Sequence, residues 1–318
     1  MTGKIVTKYA SLMAEVPVVN DRALTKDLFM EWLQYIDVRP KTVQTYTRAI
    51  KQFLLWMKDN NISRPVREDI ITYRDELKEE HKPNTVQAYM AAVKQFFRWT
   101  SIKGIYPDIS VHVKGAKIDR GYKKDYLTSR QAAKLLKTVD RSTTKGLRDY
   151  AVLVLMLTTG VRTIEVCRAN VEDLGTLGNS TILRLQGKGR DEKNELVKVE
   201  QHAEDAIRAY LRTRKNIKAD SPLFSSIANR NKDGRMTTRS LSRLVKERLA
   251  DANLISERLT AHSLRHTTAT LNLLAGGTPQ ETQQMLRHAN INTTMIYSHA
   301  LEREKNNSEA RVASAIFG

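Results

Sequence analysis

The sequence predicts a mainly α-helical protein of the α+β class, in which an N-terminal helical bundle precedes a larger, mostly helical domain with a small antiparallel sheet. Apolar residues recur every three or four positions over most of the chain, which is the period of amphipathic helices. In one stretch, around 179–200, apolar and polar residues alternate instead, as they do in paired β-strands. The length of 318 residues fits two domains at about 150 residues each.

Two similar segments organise the N-terminal part. RPKTVQTYTRAIKQFLLWM at 39–57 aligns in register with KPNTVQAYMAAVKQFFRWT at 82–100. Each predicts a long helix with one apolar face, and Thr42 and Thr85 are the predicted N-cap residues because threonine favours that position. Two copies are too few for a solenoid, so the segments predict two equivalent helices of one bundle. The other helices of the bundle are predicted over 23–36 and 67–80.

The helical periodicity stops in a basic, glycine-punctuated stretch that we interpret as an interdomain linker. After it, LTSRQAAKLLKTV predicts a helix capped by Thr128, and LRDYAVLVLMLTTG predicts a buried helix that ends at Gly160. NSTILRLQ and ELVKVE flank GKGRDEKN, which predicts a β-hairpin with a lysine-bearing tip. Further helices are predicted over 202–214, 237–251, 263–275, 279–287 and 293–302.

These elements predict five segments of chain. They are an N-terminal extension at 1–20, a helical DNA-binding bundle at 21–105, a linker at 106–124, a second domain at 125–302 and a C-terminal tail at 303–318.

Charge and composition narrow the classes of function. The 53 Lys and Arg residues against 35 Asp and Glu give a net charge of +18, which favours a polyanionic partner such as nucleic acid over a merely soluble basic protein. The single cysteine excludes an internal disulfide and a cysteine-rich zinc module. There is no apolar run of about twenty residues and no signal-peptide pattern. We therefore expect a cytoplasmic protein with no membrane partner.

Basic residues on the polar faces of the predicted helices are candidate DNA contacts, although a solvated face would look the same. In the bundle these residues are Arg39, Lys41, Arg48, Lys82, Lys94 and Arg98. In the helix predicted over 237–251 they are Arg239, Arg243 and Lys246.

Several polar residues stand where apolar helices begin or end. Arg162 follows the buried helix in TTGVRTIEV, where a charge is costly unless it is paired or meets a ligand. Glu165 lies one helical turn further and is placed to orient Arg162, although a plain structural ion pair fits as well. In AHSLRHTTAT, His262 and Arg265 share one helix face and together suit an anionic oxygen. We interpret His266 as a packed core histidine.

The last of these segments, LRHANINTTMIYSHA, contributes His288 and Tyr297. In sequence order, the candidate residues resemble the active-site signature of the tyrosine recombinases, the phage-integrase family of site-specific recombinases. The residues that carry this resemblance are Arg162, Lys188, His262, Arg265, His288 and Tyr297. The duplicated helical region is similar to the core-binding domain of that family. Arg287 is a departure, because the family commonly has glycine before this histidine.

The resemblance implies a metal-independent and cofactor-independent enzyme acting on double-stranded DNA. Tyr297 would attack the scissile phosphate and form a 3′-phosphotyrosyl link, while Arg162 and Arg265 would hold its oxygens. Lys188 would protonate the 5′-oxygen leaving group, and His262 and His288 would assist. Glu165 would support Arg162.

The resemblance also implies a homotetramer on paired recombination sites, held together through tail 303–318, with accessory proteins in some systems. Because about twenty residues precede the first helix, the two-domain plan resembles the Xer resolvases and the simpler integrases of mobile elements. The departure at Arg287 favours integration or excision of a mobile element. Dimer resolution of the Xer type is the alternative. A type IB topoisomerase, an inactive DNA-binding accessory protein and a DNA-free helical protein are the remaining alternatives.

Overall fold

The fold is described from a computed structural model that covers residues 24, 26–118, 125–187, 190–305 and 307–317. The predicted N-terminal extension, residues 119–124 of the predicted linker and Lys188 lie outside this description. The chain divides into two compact units, Met1–Arg120 and Gly121–Gly318.

The first unit contains four described helices whose apolar faces meet in one core. They are α1 (Lys26–Tyr35), α2 (Pro40–Asp59), α3 (Arg67–Glu80) and α4 (Pro83–Ile102). The two helices of the sequence repeat, α2 and α4, pack against each other. Aromatic rings fill the space between them and α1, and Phe29 stacks on Phe96 with ring centroids 4.4 Å apart. The predicted bundle is therefore present.

The predicted N-caps of the repeated helices are wrong. Arg39 and Lys82 have the extended backbone of N-cap residues, and Pro40 and Pro83 occupy the first helical position. Proline is favoured there because the amide hydrogen that it lacks would have no partner in the helix. Thr42 therefore lies inside the first turn, as does its counterpart in α4.

Residues after α4 remain attached to the first unit. Val113 is buried in the core of this unit, and Tyr106, Ile109 and Ala116 pack against the same core. The first part of the predicted linker thus covers one side of the bundle.

The second unit is mostly helical around one three-stranded antiparallel sheet. Its helices are α5 (Ser129–Lys137), α6 (Thr144–Thr159), α7 (Thr163–Arg168), α8 (Gln201–Arg212), α9 (Thr238–Asp251), α10 (Ala261–Leu274), α11 (Pro279–Leu286), α12 (Asn292–Lys305) and α13 (Ser308–Phe317). Its strands are β1 (Leu174–Leu177), β2 (Ser180–Leu185) and β3 (Glu195–Lys198). The predicted cap is confirmed, because the Thr128 hydroxyl accepts from the Gln131 amide at 3.2 Å.

Strands β2 and β3 form the predicted hairpin, with Leu183 paired to Val197. Strand β1 has no counterpart among the predicted elements, and it pairs with the edge of β2 opposite to β3. The core of the unit forms around α6, whose side chains from Ala151 to Met156 are all buried, and the edges of this core are where the candidate residues lie. In the described part of the chain, no helix combines the length and apolar character that a bilayer span requires.

Candidate active site

Arg265 is the most deeply buried cation among the candidate residues, with 2% of its surface exposed. It lies on α10, where its Nη1 donates to the Gly160 carbonyl at 2.5 Å and its Nη2 donates to the Leu286 carbonyl. These carbonyls stand at the ends of α6 and α11. Burial, followed by the nearby charges of Arg162 and Arg287, lowers the pKa of Arg265 to about 9. At neutral pH the group is still a cation.

The end of α6 allows this close approach. Gly160 is the C-cap of α6 with a left-handed backbone (φ 62°), a conformation that glycine adopts without a steric penalty. A Cβ added at Gly160 would lie 2.4 Å from Leu286 Cδ2, so a larger residue would separate α6 from α11. The predicted helix end therefore also brings together the two carbonyls that hold Arg265.

Arg162 and Glu165 make the contact that their spacing predicts. The Arg162 Nη1 donates to Glu165 Oε1 at 2.7 Å, and the Arg162 backbone amide donates to Oε2 at the same distance. Glu165 is fully buried, whereas 24% of the Arg162 side chain is exposed. The buried carboxylate thus fixes a guanidinium that still reaches the surface.

Arg287 adds a third guanidinium to this cluster. It is the C-cap of α11 with a left-handed backbone (φ 56°), the conformation that explains why glycine would suit this position. Its Nη2 donates to Glu165 Oε2 at 2.7 Å, and its Nε donates to Glu195 Oε2 at 3.2 Å. Sequence reasoning noticed Arg287 only as a departure from a pattern and assigned it no contact.

His288 follows directly, in a half-buried position. Its Nδ1 is 2.8 Å from the Thr294 hydroxyl, which is itself buried. Burial, together with the charges of Arg265, Arg162, His262 and Arg287, lowers the pKa of His288 to about 4. The imidazole is therefore neutral at physiological pH. Sequence reasoning missed Thr294 as its partner, because nothing in the spacing marks a contact across the turn before α12.

Tyr297 lies on α12 and is 4% exposed. A hydrogen bond joins its hydroxyl to His266 Nδ1, and the two rings have centroids 5.3 Å apart. The interpretation of His266 as an ordinary core histidine is therefore wrong. The sequence contains a signal for this position, because a spacing of four residues puts His266 on the same helix face as His262. In the structure the two rings pack edge to face, with centroids 4.7 Å apart.

The remaining candidate residues are placed as follows. His262 is exposed at the start of α10. Of the basic residues in the bundle, Lys94 is half-buried and donates to the Val113 carbonyl, so it has a structural contact. The other basic candidates are all exposed in the structure: Arg39, Lys41, Arg48, Lys82, Arg98, Arg239, Arg243 and Lys246.

The arrangement suits chemistry on an anionic group. Three guanidiniums around one buried carboxylate leave a local excess of positive charge. The Tyr297 hydroxyl and the imidazoles of His266 and His288 lie on neighbouring segments. Fixed cations of this kind stabilise charge that develops in a transition state. A phosphate diester attacked by the tyrosine hydroxyl would use both features.

Comparison with known proteins identifies the family to which each unit is similar. Residues 125–304 match the phage integrase family, and residues 27–105 match the family described as phage integrase, N-terminal SAM-like domain.

Individual relatives are similar over part of their length. The tyrosine recombinase XerC of Thermodesulfovibrio yellowstonii is 34% identical over 194 residues, which is 59% of this chain and 61% of the relative. The XerC of Caldanaerobacter subterraneus is 34% identical over 177 residues, 55% of this chain and 47% of the relative. The matched segments thus span between about half and three fifths of these relatives.

Among solved structures, the fold is similar to two recombinases in complex with DNA. The XerH site-specific recombinase bound to a palindromic difH substrate, a post-cleavage complex, superposes with a TM-score of 0.71 at 19% identity, covering 97% of this chain and 95% of that one. The Tn1549 transposon integrase in complex with a circular intermediate DNA gives a TM-score of 0.66 at 18% identity, covering 88% and 98%. At these identities the likeness shows the fold.

Proposed function

The chain belongs to the phage integrase family, and we propose that it is a site-specific tyrosine recombinase that cuts and rejoins double-stranded DNA. The reaction would pass through a 3′-phosphotyrosyl intermediate and a Holliday junction. The observation that carries the proposal is the meeting, in one unit, of the Tyr297 hydroxyl with the cation cluster of Arg162, Arg265 and Arg287. A protein that only binds DNA has no use for a nucleophile beside such a cluster.

In the proposed reaction, the Tyr297 oxygen attacks the scissile phosphorus. The bond from this oxygen to phosphorus forms while the bond from phosphorus to the 5′-oxygen breaks, so the phosphodiester energy is kept in the covalent link. The phenol loses its proton, and the departing 5′-oxygen gains one from Lys188, the proposed general acid. Rejoining reverses these steps with a 5′-hydroxyl from the exchanged strand, and no metal or nucleotide cofactor takes part.

Arg162 and Arg265 would bind the non-bridging oxygens of the phosphate. Because both guanidiniums are already held by buried partners, little reorganisation is needed when charge develops, and each such group contributes on the order of 3 kcal/mol to transition-state binding. Glu165 would act through Arg162.

The two histidines would assist as hydrogen-bond donors. With a pKa of about 4, His288 is neutral, so a Thr294 hydroxyl that donates to Nδ1 leaves the proton on Nε2 free to reach a phosphate oxygen. His262, which is exposed at the start of α10, would meet DNA directly.

We favour integration or excision of a mobile element as the biological role. The departure at Arg287 from the usual glycine supports this role. Chromosome or plasmid dimer resolution is the second candidate, and the XerC relatives favour it. Trapping on DNA from the chain's genomic neighbourhood, compared with a chromosomal resolution site, distinguishes the two.

The proposed assembly is a homotetramer on paired DNA sites, with accessory proteins in some reactions. Helix α13 supports it, because no residue of this helix is buried and Val312, Ile316 and Phe317 are 58%, 65% and 86% exposed. An apolar helix that does not cover its own unit suits docking on a neighbouring copy. The expected occupant of that contact is a second chain of the same protein bound at the adjacent half-site.

Covalent trapping tests the proposed function. The protein is incubated without metal or ATP with nicked suicide substrates, and a denaturation-resistant protein–DNA band is expected. Tyr297→Phe should abolish the band without loss of binding, whereas Tyr35→Phe, at an exposed tyrosine of the other unit, should leave it unchanged.

Other outcomes would identify an alternative. Binding with no adduct on any correctly bound nicked substrate would contradict the enzyme proposal and favour an accessory protein. An adduct accompanied by relaxation of supercoiled DNA without strand exchange would favour a topoisomerase.

A further inference from the structure

Arg287 links two parts of the site that are far apart in the sequence. Its Nη2 donates to Glu165 Oε2 at 2.7 Å, beside Arg162, and its Nε donates to Glu195 Oε2 at 3.2 Å, at the start of strand β3. Its Nη1 donates to the Met285 carbonyl at 3.0 Å. One side chain therefore connects α11, the Arg162–Glu165 pair and the β2–β3 hairpin.

The hairpin side of this link lies directly against the residue before Lys188. A Cβ added at Gly187 would meet Glu195 Oε1 at 2.8 Å, so the carboxylate rests on the backbone of Gly187. The same carboxylate pairs with Arg190 Nε at 3.2 Å, on the other side of the hairpin tip. Glu195 thus contacts both described residues that flank the tip.

We propose that Arg287 is a positioning residue, which ties the β2–β3 hairpin to the Arg162–Glu165 pair and so holds the two described ends of the hairpin tip, Gly187 and Arg190, beside that pair. The inference rests on the proposed function, in which Lys188 at that tip is the general acid. It assigns a role to Arg287, which the sequence marks as a departure from the family pattern.

The contacts favour positioning over direct phosphate binding. The Arg287 guanidinium directs all three of its nitrogens to protein acceptors, and two of these acceptors are carboxylates, so its charge is already paired. A non-glycine residue with a left-handed backbone carries a steric penalty. Two carboxylate contacts offset that cost, whereas glycine would avoid it and provide no link.

A first experiment measures the link in the free protein, without DNA or activity. Arg287→Gly removes the side chain and suits the backbone, so the fold should be kept while amide hydrogen exchange in β3 becomes at least about tenfold faster through local opening. Asn253→Gly is the matched control, because Asn253 also has a positive φ (58°) and follows the C-terminal end of α9. Unchanged exchange in β3 of Arg287→Gly would overturn the proposal.

A second experiment uses the chemistry of the leaving group. In DNA with a bridging 5′-sulfur at the scissile phosphate, the departing thiolate needs no general acid. A misplaced hairpin tip should therefore slow cleavage of ordinary DNA by about ten- to a hundredfold, and the sulfur substrate should restore the rate to within about twofold. Glu195→Gln should behave in the same way, and combining it with Arg287→Gly should add no further loss, because the two residues act as one unit.

The outcomes separate this proposal from the proposed function. Equal losses on both substrates would show that Arg287 acts on the phosphate or on Arg162 and would overturn the positioning role, as would no loss on either. Absence of an adduct with the wild-type protein on both substrates would contradict the recombinase proposal, while the exchange experiment would still decide whether the link exists.

Discussion

The two sides of the candidate site are built differently. On the cation side, Arg265 donates to main-chain carbonyls at the ends of two helices, and the buried Glu165 holds both Arg162 and Arg287. On the side of Tyr297, the proposed nucleophile (the nucleophile side), the hydroxyl shares a hydrogen bond with the side chain of His266, and its helix is followed by α13, in which no residue is buried. Arg265 and Glu165 are buried in the unit, whereas Tyr297 belongs to a small separate cluster with Ala269 and Leu286.

This difference fits the separate demands on the two sides. Charges that stabilise a transition state are most effective when they are in place before the reaction. Tyr297, the proposed nucleophile, must instead approach phosphorus, and its packing partners Ala269 and Leu286 lie outside the main core around α6. We therefore expect substitutions on the cation side to affect both stability and cleavage strongly, and substitutions on the nucleophile side to affect stability weakly.

The largest expected effect comes from Arg265→Lys. Lysine keeps the charge but cannot donate to both carbonyls and a phosphate in the fixed geometry of a guanidinium. Single-turnover cleavage of a suicide substrate should fall by about 10² to 10³. Arg212→Lys, at an exposed arginine of α8, is the control. Cleavage within about threefold of wild type for both variants would contradict a preorganised cation side.

The next effect is on stability, through Glu165→Gln. This change leaves Arg162 and Arg287 without the buried carboxylate that they share, and the loss of one partner of a buried pair costs about 3 kcal/mol. The free energy of unfolding from urea titration measures it. Glu247→Gln serves as the control, because Glu247 pairs with Arg243 at 3.5 Å on an exposed face. An equal decrease in the free energy of unfolding for the two variants would contradict the expectation that the buried carboxylate contributes more to stability than the exposed one.

A smaller loss of stability is expected from a substitution beside Tyr297. His266→Phe keeps an aromatic ring but loses the hydrogen bond to Tyr297, and the free energy of unfolding should fall by about 1 kcal/mol. Hydrogen exchange in α12 should increase while exchange in α6 stays unchanged. A loss as large as that of Glu165→Gln would show that both sides of the site are equally tied to the core.

The last expected effect is a pH dependence. The pKa of His288 is lowered from 6.5 to about 4 in the folded protein, so between these values the unfolded chain binds the proton and the folded chain does not. The contribution of His288 to stability is thus complete above pH 6.5 and decreases as the pH falls towards 4. Unfolding temperatures measured from pH 7.5 to 4.5 should fall less steeply for His288→Asn than for wild type.

His202 gives a control of opposite sign. A hydrogen bond that His202 donates to the Glu200 carboxylate raises the pKa of this exposed histidine, so its contribution to stability is present at low pH and is lost as the pH rises. His202→Asn should therefore make the fall at low pH slightly steeper. Identical slopes in wild type and His288→Asn would contradict the inferred burial of the His288 imidazole.

Most helices, the β2–β3 hairpin and the candidate residues of this protein could be predicted from its sequence. The repeated apolar pattern predicted α2 and α4, the TTG turn predicted the end of α6 at Gly160, and the alternating stretch predicted the β2–β3 hairpin. These features depend on local periodicity and on single-residue backbone preferences, both of which can be read along the chain. The Arg162–Glu165 contact was predictable for the same reason, because it spans one helical turn.

Tertiary structure alone decided the contacts between distant segments. The hydrogen bond between His266 and Tyr297, the Thr294 partner of His288 and the bridge from Arg287 to Glu165 and Glu195 each join elements whose relative placement no local pattern fixes. Even β1 escaped prediction, since its four residues acquire strand character by pairing with β2. Helical period shows which residues share a face, but packing of the helices and sheet determines which faces meet.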